Sequence, residues 1–320
     1  MNGYKKVAAV GLFVGVATVL SNPAAYADDP LSGSDTAIIL GGTTEPTPDT
    51  AFAQAAENLY LHPLGFDDGA TSSTVCDMIG TDPCAAPLQV LTTPELIQQS
   101  TLTDADDVTL AVENEFNADP GAFSAEDPLT IFGYSQSATA ESIAMTQIND
   151  YSMAHGDSIP LDDLHFVFIG DPSLADTGVW PNLVADMDGI FGTSLTNTLL
   201  TDFGIDGVLG NVTPDDLYPT TIYSLDGDGV AQFQPDFESG GLLGTIEGLF
   251  VQHVEYLGLT PDEVANATTS TDDLITNVDI SDNINNADAW LSAVFEHGAA
   301  GSGLLESVFQ SLEFYLTNSF

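Results

Sequence analysis

Short apolar runs closed by glycine-bearing turns recur along this chain and outline its fold. Thr36-Ala37-Ile38-Ile39-Leu40 ends at Gly41-Gly42-Thr43, and Leu129-Thr130-Ile131-Phe132 ends at Gly133. Leu164-His165-Phe166-Val167-Phe168-Ile169 ends at Gly170-Asp171-Pro172, and Thr220-Thr221-Ile222-Tyr223-Ser224 ends at Leu225-Asp226-Gly227. Runs of this length, rich in Ile, Val, Phe and Thr and bounded by turn residues, predict buried strands. Between them, residues 48–61, 94–116 and 138–148 predict helices. Strands alternating with helices predict an α/β fold whose mainly parallel sheet is covered on both faces. In such sheets the chemistry gathers at the strands' carboxyl ends, and Gly41-Gly42-Thr43, Ser135 and Asp226 all fall there.

The remaining segments have weaker patterns. Residues 173–218 are rich in Gly, Leu and Asn with little periodicity, and read either as a lid over the site or as an ordinary surface insertion. From Thr260 the chain is rich in Asp, Asn and Thr, then amphipathic over residues 287–320. The expected organisation is one domain over residues 28–258, followed by an appendage of loops and helices, residues 259–320, packed on its core. No internal repeat or Pro/Ser-rich linker divides the domain.

At the amino terminus, Lys5-Lys6, an apolar run over residues 7–20 and Ala25-Tyr26-Ala27 have the three-part pattern of a secretory signal. Cleavage is expected after Ala27, and the apolar run falls short of the roughly 20 residues that span a bilayer. The expected destination is therefore the exterior or the cell envelope. Cleavage there removes both basic residues of the chain and keeps all 48 acidic ones. Such a chain has nothing with which to neutralise phosphates, which excludes nucleic acid as a partner and excludes charge-driven binding to anionic membranes. Any carboxylate that needs a positive partner must use one of five histidines, the amino terminus or a metal ion. With 43% hydrophobic residues the chain nonetheless has ample material for a core. Cys76 and Cys84 lie eight positions apart, and in an exported protein they read as a local disulfide. A metal site built from this pair with His62 is the alternative, but no further Cys or nearby His completes a tetrahedral set.

Gly133-Tyr134-Ser135-Gln136-Ser137 joins a predicted strand to a predicted helix, the layout of a nucleophile elbow. A serine hydroxyl attacks only when a base takes its proton, and that imidazole needs a carboxylate to hold its tautomer. In the α/β-hydrolase arrangement the three arrive in the order Ser, Asp or Glu, His. Ser135, Asp226 and His253 satisfy that order, with Asp228 as an alternative acid and His297 as the rival base. His62 and His155 fall outside the order, and His165 sits within a strand. For an oxyanion, the backbone N–H of Gln136 is one candidate donor and that of Gly42 or Thr43 the other. The Asp226-Gly227-Asp228-Gly229 run also reads as a turn or weak calcium loop, but Phe237 stands where an EF-hand needs its bidentate glutamate. No metal or cofactor is expected.

Taken together, Leu40-Gly41-Gly42-Thr43, Phe132-Gly133-Tyr134-Ser135-Gln136-Ser137-Ala138, Phe168-Ile169-Gly170-Asp171-Pro172, Tyr218-Pro219-Thr220-Thr221 and Val251-Gln252-His253 resemble the PE-PPE domain family of mycobacteria and related actinobacteria. That family is a group of cutinase-like serine α/β-hydrolases. The resemblance implies esterase activity on acyl esters or lipids, with Ser135 as nucleophile and His253 as base. Acyl transfer to a sugar hydroxyl is a second activity it implies, and a non-catalytic lipid-binding envelope protein is the reading from another class. The acid loop, residues 225–235, is longer than the family's pattern and has Gln at the second acidic position. A signal peptide stands where a PE or PPE region would be, which leads to the expectation of a freestanding exported form.

Overall fold

The computed structural model describes residues 30–43, 45–66, 73–95, 100–156, 158–202, 208 and 210–282. The expected signal peptide, the amphipathic stretch 287–320 and His297 lie outside the described residues. Eight strands form one sheet: β1 (Ala37–Ile39), β2 (Val75–Asp77), β3 (Leu88–Val90), β4 (Leu129–Tyr134), β5 (Leu164–Ile169), β6 (Thr220–Leu225), β7 (Thr268–Asp272) and β8 (Ile275–Ile280). Their order is β2-β3-β1-β4-β5-β6-β8-β7. Every neighbouring pair is parallel except β7 and β8, an antiparallel hairpin at the edge. The helices are α1 (Thr50–Ala56), α2 (Thr101–Ala118), α3 (Gln136–Ala154), α4 (Val179–Phe191), α5 (Thr193–Asp202), α6 (Phe233–Phe250), α7 (Gln252–Glu255) and α8 (Pro261–Ala265).

Strand alternation sorts the apolar side chains into two cores. Phe132, Tyr134, Val167, Ile169, Tyr223 and Val278 pack with Phe52 of α1 and Tyr60 of the π-helical turn Glu57–Leu61 that follows it. On the other face Ile131, Phe166, Phe168 and Ile222 pack with Val108 and Val112 of α2 and Ala140 and Ala144 of α3. The central strands are buried along their whole length, as expected when helices cover both faces.

Two expectations change. The boundary at residue 258 cuts through the sheet: residues 268–280 form β7 and β8, and β8 pairs with β6 over Thr220–Leu225. The segment beyond 258 is thus partly core, because Val278 and Ile280 are buried against the sheet's first face. The helix expected from residue 94 begins at Thr101, and Glu95 has a positive φ of 44° that no helix accommodates. Residues 173–218, read as a lid or a surface insertion, contain the helices α4 and α5. This segment is tied to the first turn of α3, since Trp180 Nε1 donates to Thr139 Oγ1 at 2.9 Å. Cys76 of β2 and Cys84 are disulfide-bonded, with Cα atoms 6.4 Å apart, and staple an edge strand to the loop that enters β3. Among the described residues no helix is long and apolar enough to cross a membrane.

Candidate active site

Because β1, β4, β5 and β6 run parallel, the segments leaving them emerge on one rim of the sheet. Ser135 follows β4 directly, with φ 58° and ψ −114°, and α3 begins at the next residue. That backbone is strained for a residue with a Cβ. It is held by the Ser135 N–H, which donates to Ile169 at 3.0 Å, and by Ser137, whose hydroxyl accepts from the Tyr134 N–H at 2.7 Å. Serine at position 137 therefore takes a local structural part that glycine could not.

His253 lies on the short helix α7, and its Nε2 is 2.7 Å from Ser135 Oγ although 118 positions separate them in the chain. His253 is 2% exposed. Gly170, at φ 59° just after β5, passes beneath it. A Cβ there would sit 3.0 Å from His253 Cε1, so both the backbone and the ring require glycine. Tyr134, inside the elbow string, donates its hydroxyl to the His253 carbonyl and fixes α7 over the rim.

The acid that meets the ring is Asp228, not Asp226. Asp228 Oδ1 and Oδ2 lie 2.9 and 3.0 Å from His253 Nδ1. Asp226, the first residue beyond β6, is exposed, and its N–H donates to Ile280 of β8 at 2.8 Å. Gly227, at φ 83°, then reverses the chain so that the Asp228 N–H bonds to Leu225 and its side chain turns inward with 0% exposure. The order along the chain accommodates either aspartate. Only the geometry of this turn separates them.

Asp228 also accepts from the Val230 N–H at 2.8 Å and from the Tyr256 hydroxyl at 2.7 Å. The Tyr256 oxygen in turn accepts the Leu225 N–H at 2.9 Å, linking the acid to the end of β6. Tyr256 has no counterpart among the expected site residues, although it lies three positions after His253. Burial, with the neighbouring Asp228 charge second, holds its phenol well above the ordinary range, so it remains a donor.

At the proposed anion site, Gln136 opens α3 and Thr43 follows β1. The Thr43 hydroxyl donates to Gln136 Oε1 at 3.0 Å, and Gly42 lies against the Tyr134 ring. The positive end of the 19-residue helix α3 points toward Ser135. Among the described residues the other histidines lie elsewhere: His62 is 3.4 Å from Glu57, His155 Nδ1 bonds the Tyr151 carbonyl at 2.8 Å, and His165 Nε2 meets Thr221 Oγ1 at 3.0 Å.

Carboxyl groups crowd the rim without cations. Asp236 is pushed up to about 6, first by burial and then by Asp228 and Asp226. Behind the elbow, Glu141 is buried against Gly133, and burial raises it well above the carboxylate range, with Glu95 and Asp171 adding to the effect. Chemically, the arrangement offers a hydroxyl, an acceptor for its proton, a carboxylate on the far side of the imidazole, and a helix amino terminus.

The chain is 28% identical over 229 residues to the PPE family protein PPE28 of Mycobacterium tuberculosis, covering 71% of this chain and 30% of the relative. It is 27% identical over 257 residues to Esterase PE16 of the same species, covering 78% of this chain and 42% of the relative. The chain thus spans less than half the length of these curated relatives. Among solved structures, a cutinase-like protein from Cryptococcus sp. aligns at 17% identity over 72% of this chain and 98% of that one, with a TM-score of 0.36, too low to bear on the site. The PE-PPE domain matches residues 85–278, more than half of the chain, from β3 into β8, so the chain belongs to the PE-PPE domain family.

Proposed function

We propose that this chain is a serine ester hydrolase that works through an acyl-enzyme on Ser135. His253 Nε2 takes the hydroxyl proton as Ser135 Oγ attacks the ester carbonyl, and Asp228 stabilises the resulting imidazolium through Nδ1. The tetrahedral oxyanion is met by the Gln136 N–H and by a donor from the Gly42–Thr43 loop. Collapse expels the alcohol, which takes the proton from His253. Water then enters, loses a proton to the same imidazole, and releases the acid while Ser135 regains its hydrogen. The observation that carries this reading is the 2.7 Å approach of His253 Nε2 to Ser135 Oγ with Asp228 on the opposite nitrogen. Membership of the PE-PPE domain family and similarity to a relative named as an esterase support it. Residues 1–27 support an exported location.

The test is direct. Purified protein is treated with a fluorophosphonate probe and assayed on short- and medium-chain p-nitrophenyl esters beside Ser135→Ala. Labelling and turnover should both vanish in the variant. A folded wild-type protein that neither reacts nor turns over refutes the proposal.

A further inference from the structure

The side chain of Gln136, the residue after the nucleophile, is held at both ends. Its Oε1 accepts from the Thr43 hydroxyl at 3.0 Å, while its Nε2 donates to Ser100 Oγ at 2.8 Å and to Asp104 Oδ2 at 3.0 Å. Ser100 Oγ itself donates to Asp104 Oδ2 at 2.8 Å. Thr43, Ser100, Asp104 and Gln136 are all buried, Asp104 completely. The network therefore joins three separate pieces of chain: the loop after β1, the start of α2 and the start of α3.

The chemistry of these groups gives the network a direction. An ionised carboxylate only accepts hydrogen bonds, so it selects the NH₂ end of the Gln136 amide. The carbonyl end must then face Thr43, where it can accept the hydroxyl. Gly41 and Gly42 contribute no side chains to hold their loop, and Thr43 is buried beside them. Anion-stabilising donors act only when preorganised, which requires such a loop to be tethered from outside.

We propose that Asp104 is a positioning residue for the oxyanion site: through the Gln136 amide and the Thr43 hydroxyl it ties the loop after β1 to the first residue of α3. This inference rests on the serine-hydrolase reading above. Asp104 is buried, and its side chain bonds to Ser100 and Gln136 rather than to the nucleophile. Its influence passes entirely through the orientation of Gln136, so its loss and the loss of Thr43 break the same tether.

The experiment is a double-mutant cycle on p-nitrophenyl ester turnover, with kcat and KM measured well below each variant's thermal midpoint. Losing an oxyanion donor outright costs roughly 10²–10³ in kcat, so loosening one should cost about tenfold. Asp104→Ala and Thr43→Val are each expected to lower kcat by about that factor with KM unchanged, and the double variant to be no slower than Thr43→Val alone. Asp104→Asn keeps an acceptor for Nε2 and should recover kcat to within about threefold of wild type. Multiplicative losses in the double variant, or a rise in KM at unchanged kcat, overturn the proposal. If Asp104→Ala does not fold, the cycle of Gln136→Met with Thr43→Val decides by the same criterion. Wild type that the fluorophosphonate fails to label removes the hydrolase reading and this inference together. Labelled, active wild type with multiplicative variants removes this inference alone.

Discussion

Asp226 and Asp228 stand two positions apart on one turn, yet only Asp228 reaches His253, because Gly227 turns the chain between them. Asp228→Asn should lower kcat by roughly 10⁴, as loss of a triad carboxylate does, while Asp226→Asn should stay within about threefold of wild type. Comparable losses in both variants would contradict the assignment. Tyr256→Phe removes the donor to Asp228 and leaves the Leu225 N–H without its acceptor, so kcat should fall about tenfold, with the thermal midpoint lowered as well. A variant with wild-type kinetics would limit Tyr256 to packing. That Ser135 and His253 meet was legible in the sequence because the chemistry specifies their order and their motifs. The choice between two aspartates was not, since it depends on a single left-handed glycine and on which carboxylate escapes water. Tyr256 was invisible for a related reason: its partner lies 28 positions away and no spacing rule connects them.

The four strongest strands could be read because each combines an apolar run with a turn signal, and β5 coincides with the expected run residue for residue. β2 and β3 escaped notice at three residues each. β7 is Thr-Thr-Ser-Thr-Asp, exposed throughout, a polar edge strand that lacks any hydrophobic signature. In β8 the buried residues Ile275, Val278 and Ile280 do not alternate strictly, so neither strand nor helix periodicity emerges. Because β8 pairs with β6 along six residues, a chain ending at residue 258 should fail to fold. Its circular dichroism and thermal unfolding would show this, and a cooperative transition in the truncated protein would restore the appendage view. Reducing the Cys76–Cys84 bond should have a milder effect, about 2–3 kcal/mol in denaturant unfolding, because the closed loop is short.

For the whole molecule the dominant fact is a formal net charge of −46. Screening should raise the thermal midpoint at pH 7 as salt increases, and identical midpoints at low and molar salt would contradict this. Proton binding sets a second dependence. Burial holds Asp171 up to about 6, burial and Asp49 hold Glu45 up to about 7, and burial raises Glu95 and Glu141 well above the ordinary carboxylate range. Each of these groups binds its proton more tightly folded than unfolded. The stability they confer is complete below about pH 4 and is lost as pH rises through 6 and 7. His165, pushed down to about 4 by burial, acts in the opposite sense, its contribution present above 6.5 and lost toward pH 4. Four carboxyls against one imidazole should give a midpoint that falls from pH 5 to pH 8. Asp171→Asn should flatten that fall by about 1–2 kcal/mol between pH 5 and pH 8, and an unchanged slope would remove Asp171 from the account. The end of β8 has a mechanical corollary. Ile280 holds the amide of Asp226, two residues before the acid, and Asp282 accepts from Gln252 at 3.1 Å, one residue before the base. Both partners of Ser135 thus hang from one stretch of backbone, so tension applied through residue 282 would strain the imidazole and the carboxylate at once, making that point a lever on turnover.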